Sequence, residues 1–223
     1  MPTVARKNNP LPDPKSAILE AAEALFSYRG FGAVALREIA REAKLHVGSV
    51  TYHFGDKLGI LQALYARHTS PMNARRMELL REAKRIADGD QRLAAILRAY
   101  LVPAFTSSDE LAGGGARFTR MRAMLSAEGN PEARAIIMTF YDETSHAFID
   151  AIADCVPGAR RADVVWCSQF LLGSLYYTLI NPARITRLSR GETAGDDHET
   201  AIDQIVNAHC ASFSALRRMD DHA

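Results

Sequence analysis

The chain has 223 residues, of which 48% are apolar and 24% are charged, and its formal net charge is +1. This composition is that of a globular protein with one or two hydrophobic cores, and it excludes a charge-rich disordered chain. Since the net charge is close to zero, any surface that binds a polyanion must be local.

The chain begins with a polar, proline-rich segment over residues 1–12, for which we expect a disordered basic arm. A helix is predicted to follow, because Asp13 can cap it and Pro14 fits the first helical position. Apolar residues then recur at helical spacing until Gly30 and Gly32, which predict the helix end.

Two short helices are predicted next, over residues 36–43 and 47–54. Gly55 ends the second, and Asp56 can cap a fourth helix that carries apolar residues to about residue 68. Four helices, two of them short, leave no space for a sheet in this part of the chain.

The rest of the sequence also predicts helices separated by turns. Ser70-Pro71 predicts an interruption, and Pro103 predicts a kink or a helix end. Residues 106–116 contain three consecutive glycines and predict a mobile loop. Later helices are predicted over 117–127, 131–155, 162–180 and 198–217. The expected fold is therefore all-α, with an N-terminal three-helix unit at 13–70 and a larger helical bundle at 71–223.

The two short helices and the turn between them predict a helix-turn-helix, which places its second helix in the major groove of DNA. In the segment 47–54, Val50 and Phe54 can face the core. The other positions are small or polar, and Gly48 allows a close backbone approach. An alternative stays open, in which Tyr52 and His53 only complete a packed helix.

At these residues the sequence resembles the TetR family of regulators. The resemblance is strong over residues 14–68 and weak beyond them. It follows Ile18-Leu19-Glu20-Ala21-Ala22, Leu25-Phe26, Arg29-Gly30-Phe31, Leu36-Arg37-Glu38-Ile39-Ala40-Arg41-Glu42-Ala43 and Val50-Thr51-Tyr52-His53-Phe54-Gly55-Asp56-Lys57. The last run is similar to a branch with a Tyr-His-Phe-Gly-x-Lys signature, some members of which respond to fatty acids.

The resemblance implies a set of DNA contacts. Arg37 would contact a base or a phosphate, and Lys57 would pair with a phosphate. A solvated helix end is the less favoured alternative for both residues. Base edges would be faced by Val47, Gly48, Ser49 and Thr51, and the DNA backbone by Tyr52 and His53. The sequence departs from the family pattern at Val34-Ala35, where a hydroxyl cap is common, and at His46-Val47, where a polar pair is common.

The resemblance also implies a homodimer and an effector pocket in the second domain. The expected dimer face lies on the last two long helices, at Trp166, Phe170, Gly173, Tyr176, Ile202, Ile205, Val206 and Phe213. The expected pocket residues are Phe118, Met121, Met124, Leu125, Ile137, Phe140, Tyr141 and Phe148. Both sets could instead be core. Arg117, Arg120 and Arg122 could meet a carboxylate or a coenzyme A phosphate, or form a solvated face.

The sequence thus predicts a homodimeric repressor that leaves its operator when a small apolar ligand, for example a fatty acyl compound, binds. A regulator without a ligand, an activator, or a helical protein-interaction module are the alternatives. We expect no enzyme, since the chain lacks His-Glu-x-x-His, Gly-x-Ser-x-Gly and a phosphate-binding glycine loop. No cofactor, metal or membrane contact is expected, and three widely spaced cysteines are typical of a cytoplasmic protein.

Overall fold

The computed structural model describes residues 13–106 and 115–217; the arm predicted at 1–12 and most of the predicted loop lie outside these residues. The described residues form helices and no strand, so the all-α fold class is confirmed. None of these helices is long and apolar enough to cross a membrane. The helices are α1 Pro14–Arg29, α2 Leu36–Glu42, α3 Val47–Phe54, α4 Lys57–Ala83, α5 Gly89–Phe105, α6 Ala116–Glu128, α7 Pro131–Ala153, α8 Arg161–Ile180, α9 Pro182–Leu188 and α10 His198–Leu216.

The turn between α2 and α3 is set by a left-handed residue, Lys44, with a φ of 57°. The Leu45 N–H donates to the Ala40 carbonyl at 2.8 Å, and the Lys44 N–H donates to the Arg41 carbonyl at 3.1 Å. This pair of bonds is the Schellman ending of a helix, a position that usually holds glycine because a Cβ is strained there. The turn thereby satisfies the last carbonyls of α2 and starts α3 at once.

The interruption predicted at Ser70-Pro71 is wrong, because α4 continues through Pro71 to Ala83. A proline inside a helix costs about 3 kcal/mol. Burial of the apolar side chain of Met72 beside it opposes that cost. Similarly, α5 contains Pro103 and ends two residues later. The sequence also did not predict the short helix α9 after Asn181.

Two hydrophobic cores hold the helices together. The first core is formed by helices α1, α2, α3 and α4 together with parts of α6 and α7, and it includes Phe26, Val50 and Phe118. The second joins the end of α4 with α5, α7, α8 and α10, through residues such as Leu97 and Phe213. The α4 helix is continuous across the boundary expected at residue 70, and it therefore contributes residues to both cores. The division of the chain into domains at 13–70 and 71–223 stays a prediction.

Candidate nucleic-acid interface

The α3 helix has one buried side and one open side. Val50 has no exposed surface and packs in the first core, and Phe54 is half-buried against that core. On the open side, Tyr52 is 84% exposed, and Val47 is exposed one turn earlier. Of the α3 residues predicted to face DNA, Val47, Gly48, Thr51 and Tyr52 therefore lie on an outward surface, and Val50 is the buried anchor of the helix.

The remaining outward positions of α3 carry mostly small side chains. A Cβ added at Gly48 would meet no atom within 4 Å, so open space lies beside its backbone. The exposed Thr51 donates its hydroxyl to the Val47 carbonyl at 3.2 Å, so the hydroxyl oxygen can still accept a hydrogen bond. Ser49 and His53 are half-buried at the edges. Small side chains with few hydrogen bonds to the rest of the protein allow a helix to approach base edges closely.

The two predicted cations differ in their surroundings. Arg37, in the first turn of α2, is exposed, and its guanidinium has no hydrogen bond within residues 13–106 and 115–217. Lys57, in the first turn of α4, is half-buried; its ammonium donates to the Phe31 carbonyl at 2.8 Å and lies 4.6 Å from the centre of the Phe31 ring. An ammonium has three N–H groups, so this anchor leaves two for a phosphate.

The start of α2 is capped by a carboxylate instead of a hydroxyl. Ala35 is the N-cap residue and makes no side-chain bond; its N–H donates to Glu38 at 2.9 Å. Arg29 donates to the same carboxylate at 2.7 Å. The backbone hydrogen bond of Ala35, and after it the Arg29 guanidinium, hold the pKa of Glu38 below its usual value. The Glu38 carboxylate is thereby paired within the molecule, whereas Arg37 and Lys44 are exposed.

The α6 helix is attached to the helix-turn-helix at three places that the sequence did not reveal. At its C-terminal end, Glu128 accepts the N–H groups of Phe31 at 2.6 Å and Gly32 at 2.8 Å. In its middle, Arg120 donates to the Ser27 carbonyl of α1 at 3.0 Å and to the Leu179 carbonyl of α8 at 3.2 Å. One side chain therefore joins the DNA-facing unit to α8.

The third attachment is an ionic cluster near the start of α6, in which Glu23 and His68 are buried and Arg117 is exposed. Glu23 of α1 accepts from Arg117 at 3.0 Å and is 2.9 Å from the His68 Nε2 atom. Burial opposes ionisation of Glu23, but the bonds and charges of His68 and Arg117 outweigh it and lower the pKa of Glu23 below its usual value. His68 also stacks on Phe118, with ring centres 4.7 Å apart. The cluster thus connects α1, α4 and α6 at their common crossing.

The arginines of α6 differ in exposure: Arg117 is exposed, Arg120 is half-buried and Arg122 is buried. Arg117 and Arg120 make the contacts just described, and Arg122 is only 4% exposed, with its guanidinium 3.7 Å from the centre of the Tyr141 ring. The solvated-face alternative is therefore wrong for Arg122. These contacts escaped sequence analysis because the partners are distant in the chain; Phe31 and Glu128, for example, are 97 positions apart.

A cavity of about 130 Å³ lies among α5, α7 and α8. Of the eight expected pocket residues, Phe148 lines it. The structure places Phe118, Met121, Leu125 and Tyr141 in the first core, with Ile137 and Phe140 packed against it and Met124 half-buried. Other residues that line the cavity include Leu97, Tyr100, Ile152, Ser168 and Leu172.

The expected dimer residues divide into an exposed and a buried set. On α8, Trp166 is 62% exposed and Phe170 is 56% exposed; their rings are 5.9 Å apart, and Gly173 is exposed one turn further on. Tyr176 is half-buried beside Arg122. The buried set lies in the second core of the same chain and consists of Ile202, Ile205, Val206 and Phe213. Tyr177, which was not predicted, continues the exposed set on α8.

Two protein-family models match the chain. The one described as "Bacterial regulatory proteins, tetR family" matches residues 18–64, and the one described as "Tetracyclin repressor-like, C-terminal domain" matches residues 98–212. A probable HTH-type transcriptional regulator of Bacillus subtilis (strain 168), YttP, is 38% identical over 50 residues. That match spans 22% of this chain and 24% of the length of YttP.

Solved structures share the fold over most of the chain at low sequence identity. A TetR-family regulator from Shewanella sp. PV-4 is 17% identical, with a TM-score of 0.56, over 88% of this chain and 97% of its own. The structure of AibR in complex with isovaleryl coenzyme A and operator DNA is also 17% identical, with a TM-score of 0.56, over 88% of this chain and 97% of its own. The fatty acid degradation regulator FadR from Bacillus halodurans is 14% identical, with a TM-score of 0.53, over 92% of this chain and 97% of its own.

Proposed function

The chain belongs to the TetR family of transcriptional regulators, and from this premise we propose that it is a homodimeric repressor that a small molecule releases from its operator. The observation that supports DNA binding most directly is the outward side of α3, with Gly48 and Thr51 open and Tyr52 almost fully exposed. We also place the chain in the branch with the Tyr-His-Phe-Gly-x-Lys run, which it carries from Tyr52 to Lys57.

In this proposal α3 enters the major groove. Base edges are contacted by Val47, Gly48, Ser49 and Thr51, with the Thr51 methyl suited to the methyl group of thymine. Tyr52 and His53 contact the DNA backbone. Arg37 reaches a base or phosphate from the start of α2, and Lys57 offers its two free N–H groups to a phosphate.

Dimerisation is required because two helices must reach half-sites about one DNA turn apart. We assign the dimer face to the exposed apolar stripe of α8, which consists of Trp166, Phe170, Gly173 and Tyr177. Contiguous exposed aromatic residues are typical of protein interfaces. Gly173 has no atom within 4 Å of an added Cβ, so a partner helix can approach there. Exposed small residues of α10, namely Ala208, Ala211 and Ala215, extend the face.

Release follows from the attachments of α6. The helix is bonded to α1 through Arg117 and Arg120 and to the α1–α2 loop through Glu128. An effector that binds one position of α6 better than another would change the orientation of the helix-turn-helix and hence the distance between the two α3 helices. The apolar cavity among α5, α7 and α8 suits the acyl class, to which the ligand in the AibR complex also belongs.

Fluorescence anisotropy with duplexes from the region upstream of the protein's own gene tests DNA binding. We expect Arg37→Ala and Tyr52→Ala to lower the affinity by about 1–3 kcal/mol each. Lys57→Ala should reduce the slope of log affinity against log salt by about 1. The control is Arg81→Ala, which removes an exposed arginine at the far end of α4. If Arg37→Ala and Tyr52→Ala fold and bind like Arg81→Ala, α3 is not the DNA-binding helix.

A further inference from the structure

Two arginine side chains lie in the helical core without an acidic partner. Arg76 of α4 has no exposed surface, and Arg122 of α6 is almost as deeply buried. Arg76 Nη2 and Arg122 Nε have no hydrogen-bond partner among the described residues. In the part of the chain that the structure describes, neither guanidinium pairs with a carboxylate. Arginine stays protonated in proteins, and burial of an unpaired charge is costly, so an anion placed between them would relieve that cost.

Tyrosine rings surround the two guanidinium groups. Arg122 lies 3.7 Å from the Tyr141 ring centre and 5.3 Å from that of Tyr176. Arg76 lies 4.2 Å from the Tyr100 ring centre and donates its Nε–H to the Tyr100 carbonyl at 3.0 Å. The faces of aromatic rings attract a cation but do not neutralise it. Arg76 also donates to the Asn73 side-chain oxygen at 3.5 Å, and Arg122 interacts with the Tyr100 hydroxyl. The surroundings therefore hold both arginines in place, while Arg76 Nη2 and Arg122 Nε stay unpaired among the described residues.

Further unused polar groups occur at the same place. Six buried side-chain polar atoms lack a hydrogen-bond partner among the described residues, and four of them are Tyr65 Oη, Thr69 Oγ1, Arg76 Nη2 and Arg122 Nε. Tyr65, Thr69 and Arg76 share one face of α4, since they are four and seven positions apart. Burial raises the pKa of Tyr65 well above its usual value, so its hydroxyl is a neutral donor. Buried groups without partners are uncommon, and their concentration indicates a site for an acceptor.

The apolar cavity adjoins this cluster. Tyr100 belongs to both, because its ring contacts Arg76 and also lines the cavity. Along α7, Tyr141 is one turn from Ser145 of the cavity wall, and along α8, Tyr176 is one turn from Leu172. One turn of helix is about 5.4 Å. The site of the two arginines and the cavity are thus about one helical turn apart along α7 and α8.

We propose that Arg76 and Arg122 bind the carboxylate of a small organic acid whose apolar body occupies the cavity. The inference rests on the proposed function, for which it names the chemical class of the effector. Guanidinium N–H groups donate to both oxygens of a carboxylate, and such charge-assisted bonds are strong when water is excluded. A neutral ligand of the same shape fills the cavity but leaves both charges unpaired.

Calorimetric titration of the protein without DNA tests the site. The probes are isovalerate, hexanoate and octanoate, the primary amide of each, and acetate and inorganic phosphate. We expect at least one of the three larger carboxylates to bind, and its amide to bind roughly tenfold to hundredfold more weakly, which is the range of a hydrogen bond to a charged group. Acetate and phosphate should bind more weakly than that carboxylate, since they lack an apolar body.

Variants separate recognition from a structural role. Arg76→Met and Arg122→Met keep the side-chain length and remove the charge, and they should lower carboxylate affinity by roughly tenfold to hundredfold. The folded protein should be as stable to urea as before, or more so, because apolar replacement of buried charge is often neutral or stabilising. Arg122→Lys keeps the charge but not the planar fork, and should bind with intermediate affinity. Arg81→Met, an exposed arginine of α4, is the matched control.

The proposal is overturned if no carboxylate binds at millimolar concentration, if acids and amides bind equally, or if phosphate binds as well as octanoate. If the methionine variants do not fold, Arg122→Lys decides, and unchanged carboxylate affinity in it refutes the assignment. Operator binding by the ligand-free protein is measured in parallel. If the ligand-free protein binds its operator but no carboxylate binds to the protein, this inference alone is refuted. If the ligand-free protein does not bind operator DNA, the proposed function is refuted.

Discussion

Replacement of Glu128 by alanine tests the attachment of α6 to the helix-turn-helix. The substitution removes both acceptors of the Phe31 and Gly32 N–H groups, which lie 2.6 and 2.8 Å from the carboxylate oxygens. Hydrogen bonds to a charged group contribute about 1.5–3 kcal/mol each when buried. Because Glu128 is exposed and water can replace it, we expect a loss of about 1–2 kcal/mol for the pair.

The assay is amide hydrogen exchange, since the two N–H groups are themselves the reporters. A loss of 1–2 kcal/mol in local stability corresponds to exchange faster by roughly fivefold to thirtyfold at Phe31 and Gly32. The global free energy of unfolding, measured in urea, should fall by no more than that amount. The control is Glu143→Ala, which removes an exposed carboxylate of α7 with no hydrogen bond to the described residues.

The reasoning is refuted if protection at Phe31 and Gly32 in Glu128→Ala equals that in Glu143→Ala. That result would mean that Glu128 contacts the α1–α2 loop without stabilising it. A change in α6 would then not be transmitted through Glu128, and the release mechanism would depend on Arg117 and Arg120 alone.

Three further variants have defined outcomes. Lys44→Gly relieves the left-handed strain between α2 and α3 and should raise the urea unfolding free energy by about 0.5–1 kcal/mol; a decrease would contradict the Schellman geometry. Gly30→Ala should lower it by about 1–3 kcal/mol, because the φ is 83° and a Cβ would lie 2.2 Å from Glu128 Oε1. Introduction of glutamate at both Trp166 and Phe170 should yield a folded monomer in analytical ultracentrifugation with reduced operator affinity, and a dimer that persists would exclude α8 from the interface.

Local patterns predicted the helix-turn-helix almost to the residue. The predicted segment 47–54 is α3, Asp13 and Asp56 cap α1 and α4 as expected, and the predicted anchor Val50 is buried. These features depend on neighbouring residues: caps act within one turn, and an apolar side follows from helical spacing. The sequence failed where a local rule was outweighed by packing, as at Pro71, which lies inside a helix anchored in both cores.

By itself, the sequence determined that the chain is helical, where its first helices begin and end, and that Gly48, Thr51 and Tyr52 of α3 are exposed. The tertiary structure decided which apolar residues are core and which are surface, since Phe213 and Trp166 have equally apolar patterns but opposite exposure. It also decided that Arg122 is buried while Arg37 is exposed. The physical reason is that burial and charge pairing depend on helices far apart in the chain, and spacing along one helix carries no information about what packs against it.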